Sequence, residues 1–259
     1  MVSYNPSTMI EVPTGYAIAL THLHTKESDG MVTSRELVDG IDKAQQQFEV
    51  PIIAALTNHD TINGISEAMR VASCRGIRLF AGQEISMGNW PSKHVLAYWK
   101  EEPTSPIPHG RITEWTIDAI KASQGLVVPA HANGYGGLGS LTAREIAKLG
   151  NKGLLDGIET INGSNDRTKG LVPTICELRI NRPIALLGGS DSHYGEKDLL
   201  TSYTLFPGET VDDFFAAVGE GTTIPVAGKR SSATPQDKAA QFFYSNVVLN
   251  FKRYGLKNL

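Results

Sequence analysis

The sequence predicts a single α/β domain with parallel strands closed into a barrel and helices outside. Three observations predict it. Short apolar runs alternate with helix-period segments nearly end to end, which is how repeated strand–helix units read. About seven such strands can be counted, enough to close a sheet on itself. No strand is followed by the glycine fingerprint of a dinucleotide site or by a phosphate loop with G-K-[ST], the marks of many open sheets. The 259 residues contain no internal repeat, low-complexity block or break in composition, so 1–259 reads as one domain.

The elements follow in order. The apolar run 17–20 is a buried strand that leads into Thr21-His22-Leu23-His24. Thr33 and Glu36 form a capping box that opens a helix to about residue 48. Residues 51–56 are the next strand and end in Thr57-Asn58-His59-Asp60. A helix over 65–75 is closed by Gly76. The strand 78–82 ends in Gln83-Glu84, whereas the strand 94–99 begins with its histidine. A Pro-rich loop, 103–108, leads to a helix over 112–122. The strand 126–131 carries His131 at its end. The Gly-rich stretch 134–139 is a loop able to flex over a substrate, ahead of a second capping box, Thr142 with Glu145. Residues 157–161 form a strand and 168–180 a helix. The strand 183–187 runs into Gly188-Gly189-Ser190-Asp191-Ser192-His193. The tail holds a strand over 202–206, a helix opened by Thr210, and a helix-like end over 236–254. Its Phe242, Phe243, Val247, Val248 and Phe251 recur at helical spacing and are expected to pack outside the barrel.

Charge and composition narrow the function. A net charge of -3 and a pI near 6.2 give no electrostatic footprint for long nucleic acid or an acidic membrane surface. No apolar run approaches the ~20 residues that span a bilayer, and residues 1–14 lack the basic and apolar regions of a secretory signal. Cys74 and Cys176 fall in separate helix-like segments without metal-type spacing and read as reduced core residues, in keeping with a cytoplasmic protein.

The histidines carry the chemistry. Residues i and i+2 of a strand share a face, so His22 and His24 are expected to project together from a strand end. His59, His131 and His193 also stand at strand ends, and His94 begins a strand; of the seven histidines, only His109 lies in a plain loop. Asp29, Asp60, Glu84 and Asp191 join them at the same edge. Imidazoles and carboxylates converging on one edge make a metal site. No G-x-S-x-G appears and neither cysteine adjoins a histidine, so no protein nucleophile offers itself.

The pattern resembles the PHP (polymerase and histidinol phosphatase) family of metal-dependent hydrolases. Thr21-His22-Leu23-His24 with Ser28-Asp29-Gly30 is similar to its opening motif, and Thr57-Asn58-His59-Asp60 to its second. Gly82-Gln83-Glu84 and His94-Val95-Leu96 resemble the next two; Ala130-His131 and Gly189-Ser190-Asp191-Ser192-His193 resemble the last two. They stand in family order and span the chain to about Gly228. The resemblance implies a distorted (β/α)7 barrel with two or three divalent ions. It implies that His22, His24, Glu84 and Asp191 hold one ion, and that Glu84 bridges to a second held by His94 and His131. Asp29, His59 and His193 would hold the third. Asp191 and His193 would be the residues most directly engaged in catalysis. Two positions depart from the family: Asn58 stands where it usually has Asp, and Ala132 where Pro is common.

The ligand types then set the chemistry expected. Mixed imidazole and carboxylate ligands suit Mn, Fe or Zn. Three such ions bring about +6, and Asp29, Glu84 and Asp191 return about -3, which favours a small anionic, phosphorylated substrate. Metals lower the pKa of bound water towards ~7, giving a hydroxide nucleophile bridging the ions. Lys93, Arg167 and Lys197 lie near strand ends and are candidates to grip phosphate oxygens. The leading expectation is hydrolysis of a phosphoester of a small molecule or nucleotide. The alternatives are a metallohydrolase of carboxylic esters or amides on the same scaffold, and a non-catalytic metal-binding regulatory module.

Overall fold

The computed structural model describes residues 12–89, 92–132, 139–164 and 180–244. Among the described residues, nine strands and six helices alternate along the chain. They are β1 (Tyr16–Leu20), α1 (Ser34–Phe48), β2 (Ile52–Leu56), α2 (Ile65–Ser73), β3 (Arg78–Met87), β4 (Lys93–Trp99), α3 (Thr113–Ala122) and β5 (Leu126–Pro129). Then follow α4 (Ala143–Asn151), β6 (Gly157–Asn162), β7 (Ala185–Gly189), β8 (Ser202–Pro207), α5 (Val211–Glu220), β9 (Ile224–Ala227) and α6 (Pro235–Phe243). Helix starts follow the sequence closely. Thr33, Thr142, Thr210 and Thr234 each close a capping box, with Glu36, Glu145, Asp213 and Asp237 as partners.

Seven strands form one sheet in the order β5-β4-β3-β2-β1-β8-β9, and β6-β7 form a separate pair. β1, β2 and β3 are parallel, with Ile18 opposite Ile52 and Ala54 opposite Leu79. The remaining neighbours in this sheet are antiparallel, so the all-parallel expectation holds only for its centre and for β6-β7. The reason is local. β3 and β4 follow one another with no helix between them, as a hairpin does. The β6-β7 pair is tied to β5 through Asp156 N–H donating to Val127 O (3.0 Å), and to β8 through Gly188 N–H donating to Thr204 Oγ1 (2.9 Å). The sheet is therefore curled into a half-barrel within a mixed α/β fold.

Alternation along the strands builds two cores. Ala17, Ala19, Ile53, Ala55, Phe80 and Leu96 point into the curl, where Phe214 of α5 packs tilted against Phe80 and edge-on against Phe206 at centroid distances of 5.2 and 5.4 Å. The small alanines of β1 and β2 leave room for those rings. Ile18, Leu20 and Ile52 point outward and pack with Leu37, Val38 and Ile41 of α1 and Ile65, Ala68 and Val71 of α2. Each fully buried aliphatic side chain of this kind contributes about 1.5–3 kcal/mol.

Several expectations shift. β3 runs on to Met87, so Glu84 lies inside a strand, paired opposite Leu96, and not at a strand end. β9 contains Pro225 and lies at the edge of the sheet, where a missing N–H is tolerated. Cys74 is exposed, off the apolar face of α2, and is no core residue. Phe242 and Phe243 are 68% and 60% exposed, and α6 buries no side chain. The expected helix 168–180, Arg167, Cys176, most of the Gly-rich loop and the tail beyond 244 lie outside the described residues.

Candidate metal centre

β1 ends at Leu20, yet the chain stays extended: Leu23 bridges to Ser192, and His24 N–H donates to Ser192 O at 2.9 Å. His22 and His24 therefore still converge, with ring centroids 5.1 Å apart. Thr57 N–H donates to Leu23 O, and His59 bridges to Glu84, which brings the loop after β2 to the same edge. β4 runs against β3, so its first residues lie at the edge where β1 and β2 end. That is why a histidine at the start of a strand joins those at the ends of others. Gly30 folds back so closely that a Cβ there would meet His24 C and O at 2.5 Å, and Asp29 Oδ1 stands 3.5 Å from His24 Nδ1. Asp60, His131 and Asp191 have φ of 56°, 31° and 52°, a left-handed conformation that costs about 1–3 kcal/mol each and clusters at functional sites.

The nine side chains proposed from the sequence fall into one cluster. His22 Nε2 is 3.0 Å from Glu84 Oε2 and 3.5 Å from Asp191 Oδ1. His24 Nε2 is 3.2 Å and 3.4 Å from the same two atoms. On the other side of the same carboxylate, Glu84 Oε1 is 3.0 Å from His94 Nδ1 and 3.1 Å from His131 Nε2. A third group forms where Asp29 Oδ2 meets His193 Nε2 at 3.0 Å and His59 Nε2 at 3.8 Å. His24 stacks between His59 and His193, with centroids 4.8 and 4.4 Å away. Three sets, His22-His24-Glu84-Asp191, His24-Asp29-His59-His193 and His59-Glu84-His94, each place their donor atoms within 4.8 Å of one another.

The donor set fits divalent ions. Atoms bound at about 2.0–2.2 Å to one centre stand on the order of 3.0–3.6 Å apart, the spacing seen around Glu84. His24 Nε2 is buried, and its approaches to Glu84 and Asp191 lack hydrogen-bond geometry, which leaves the atom open to an ion. His94 Nδ1 and His131 Nε2 both face one carboxylate oxygen and stand 3.3 Å from each other.

The electrostatics are those of imidazoles and carboxylates sharing a largely buried space. Burial alone would lower the His22 pKa, but Glu159, Glu84 and Asp191 hold it well above the ordinary value. Burial would raise Glu84 and Asp191, yet the surrounding histidines hold both well below the carboxylate range. Burial likewise opposes charge on His193, and Asp29 outweighs it, lifting the imidazole to about 10. His59 is lowered, because burial there exceeds the pull of Glu84 and Asp29.

Several groups support the cluster, and of these only Asn58 was singled out from the sequence. Glu159, inside β6, accepts from His22 Nδ1 at 2.9 Å and from the His131 backbone N–H. Asn162 Nδ2 donates to Glu159 Oε2 at 3.0 Å and to Asp191 Oδ2 at 3.4 Å, and Ser164 Oγ donates to Asp191 Oδ2 at 2.6 Å. Asp198 accepts from Ser192 Oγ (2.5 Å) and from His193 N–H (2.8 Å), fixing the turn that carries two of the nine. Asn58 Oδ1 accepts from Thr25 N–H at 2.8 Å, and its Nδ2 donates to Asn63 O at 3.0 Å. The amide therefore joins the loops on either side of His24 and His59.

The basic candidates sit less centrally. Lys93 neighbours His94 but pairs with Glu145. Lys197 makes two 2.8 Å bonds to Asp237 of α6 and lines a cavity of about 240 Å³ that touches none of the nine side chains.

No family model matches the chain. A curated 3′,5′-nucleoside bisphosphate phosphatase of Chromobacterium violaceum is 36% identical over 75 residues, which is 29% of this chain and 24% of that protein. A two-domain protein of Bacteroides vulgatus, described as containing a predicted PHP-like metal-dependent phosphoesterase, aligns with a TM-score of 0.68 at 17% identity. The alignment covers 93% of this chain and 74% of that one. A Bifidobacterium adolescentis protein assigned as a metal-dependent phosphoesterase aligns at 0.53 and 20% identity, over 72% of this chain and 91% of its own. The fold is that of the PHP-like metal-dependent phosphoesterases. The side-chain cluster and the local sequence match accord with the resemblance read from the motifs.

Proposed function

We propose that this protein is a metal-dependent hydrolase that cleaves a phosphoester of a small molecule or nucleotide. The observation that carries the reading is the set of three overlapping donor groups joined through Glu84, His24 and His59. In this reading His22, His24, Glu84 and Asp191 hold one ion, Glu84, His94 and His131 a second, and Asp29, His59 and His193 a third. Divalent Mn, Fe or Zn at such a site supplies Lewis acidity and water activated at neutral pH. The chain's own residues do the rest. Glu84, with both oxygens engaged, fixes the spacing between the first two groups. The ionised carboxylates keep the site from accumulating all the positive charge of its ions. The strained turn at Asp191 aims Oδ1 at His22 and His24 while Ser164 holds Oδ2. Lys93, next to His94 in the chain, is a candidate to meet a phosphate oxygen in exchange for its pairing with Glu145.

The frame is read as a distorted (β/α)7 barrel whose closure runs through β6-β7, supported by the bonds that tie this pair to β5 and β8. Nucleoside bisphosphates belong among the first substrates to test, because the local sequence match is to a phosphatase of that class. A cytoplasmic location rests on composition and belongs to the same proposal. The test is a panel of phosphoesters and carboxylic esters offered to protein reconstituted in turn with Mn, Fe and Zn. Metal-dependent phosphate release, inhibited competitively by inorganic phosphate, is expected. Cleavage of carboxylic esters alone would move the assignment to the alternative hydrolase class.

A further inference from the structure

We infer that Glu159 is a positioning residue of this centre. Its carboxylate fixes the His22 tautomer and ties the first two donor groups together. The inference rests on the metal-hydrolase reading and adds to it a residue outside the nine. Glu159 is 1% exposed, in a strand otherwise made of apolar and neutral residues. A carboxylate so buried is costly unless it is fully partnered. Among the described residues, every hydrogen-bond partner of its carboxylate belongs to the centre or supports it. Oε1 takes the His22 Nδ1–H, and Oε2 takes the His131 backbone N–H and the Asn162 amide.

The geometry assigns a direction to the His22 ring. With Nδ1–H held by Glu159, Nε2 is the nitrogen that faces Glu84 and Asp191, and it is the one whose lone pair becomes available to an ion when its proton is shed. A carboxylate behind a ligand imidazole sets its tautomer, orients its ring and raises its basicity. The second oxygen places the backbone of His131, a member of the Glu84-His94-His131 group. Asn162 extends the same hub to Asp191. Space for it is made by Gly189, where a Cβ would meet Glu159 Oε1 at 1.8 Å and His22 Cβ at 2.8 Å. Gly189 thus lets β7 pass close enough for the Glu159–His22 bond to form.

The test measures zinc affinity by chelator competition on the full chain, for the unaltered protein, Glu159→Gln, His22→Gln and the double variant. Gln keeps the shape of the side chain but cannot accept at both ends. Glu159→Gln is expected to weaken zinc binding about 10- to 100-fold. In the His22→Gln background it should add much less, because the ring it orients is gone. Full additivity, or unchanged affinity in Glu159→Gln, would overturn the inference while leaving the metal reading intact. Unaltered protein that binds no zinc would overturn both. Should Glu159→Gln fail to fold, nitrogen NMR of the zinc-loaded, unaltered protein decides: the proton must lie on His22 Nδ1 and zinc on Nε2. The opposite arrangement contradicts the role assigned to Glu159.

Discussion

His193 Nε2 stands 3.0 Å from Asp29 Oδ2, joining two turns that are 164 residues apart in the chain. The pair is flanked by Asp191, whose backbone O accepts from His193 Nδ1–H at 2.8 Å, by the stacked His24 ring and by Tyr194. Without metal this is an ion pair, and it makes stability depend on pH. Burial opposes charge on His193, but Asp29 lifts its pKa from 6.5 to about 10 in the folded chain. The contribution is therefore complete below pH 6.5 and is lost as pH rises through about 10. Denaturant unfolding of metal-free protein should show stability falling across that window. Zinc-loaded protein should not follow that slope, because ligand imidazoles must shed their protons. A flat profile for the metal-free protein would mean that the pair is not formed.

Asp191→Asn should lower activity by more than ~100-fold, beyond what loss of a supporting hydrogen bond costs. The backbone there has φ of 52°, which Asn tolerates, so the fold should survive. Turnover and circular dichroism of the same preparation check both halves.

Asn58 occupies a position where the family resemblance leads one to expect Asp. Its amide donates to Asn63 O, which a carboxylate cannot do, and the residue is 1% exposed. Asn58→Asp should therefore destabilise metal-free protein, by about 1–3 kcal/mol for the carbonyl left without its donor. Equilibrium unfolding in urea measures it.

How far the sequence could be read depends on what each residue's partners are. The site histidines were legible because residue type and strand-edge position agree at each of them, as at His22 and His24 or His131. Glu84 was recognised by its motif but placed at a strand end, since nothing in Gly82-Gln83-Glu84 reveals that β3 continues through pairing with β4. β9 was missed because Pro225 argues against a strand except at an edge, and edges are a tertiary property. Glu159 escaped because a lone carboxylate in a short strand reads as a solvated face. Its partners lie 137 and 28 residues away, at His22 and His131. The signal available was its place in a strand of otherwise apolar and neutral residues, Gly157-Ile158-Glu159-Thr160-Ile161.

Lys197, proposed from its place after His193, pairs with Asp237 of α6. Its two bonds to Asp237, with those from Thr234, hold the exposed carboxyl at about 2, below the usual 3.8. That contribution is present above pH 3.8 and lost as pH falls through about 2. Lys197→Ala should return the Asp237 titration, followed by NMR, towards the ordinary carboxylate value. It should also loosen α6, whose Gln241 Nε2 reaches Asp29 Oδ2 at 3.4 Å. A rise in KM with the Asp237 titration unmoved would instead make Lys197 a phosphate ligand.

The most direct measurement is anomalous diffraction from crystals of the full chain soaked in manganese or zinc. The account predicts an ion about 2.0–2.3 Å from His22 Nε2, His24 Nε2, Glu84 Oε2 and Asp191 Oδ1. It predicts at least one neighbour beyond Glu84, toward His94 and His131 or toward Asp29 and His193. Anomalous peaks confined to other parts of the surface, with His24 Nε2 still unbound, would contradict it.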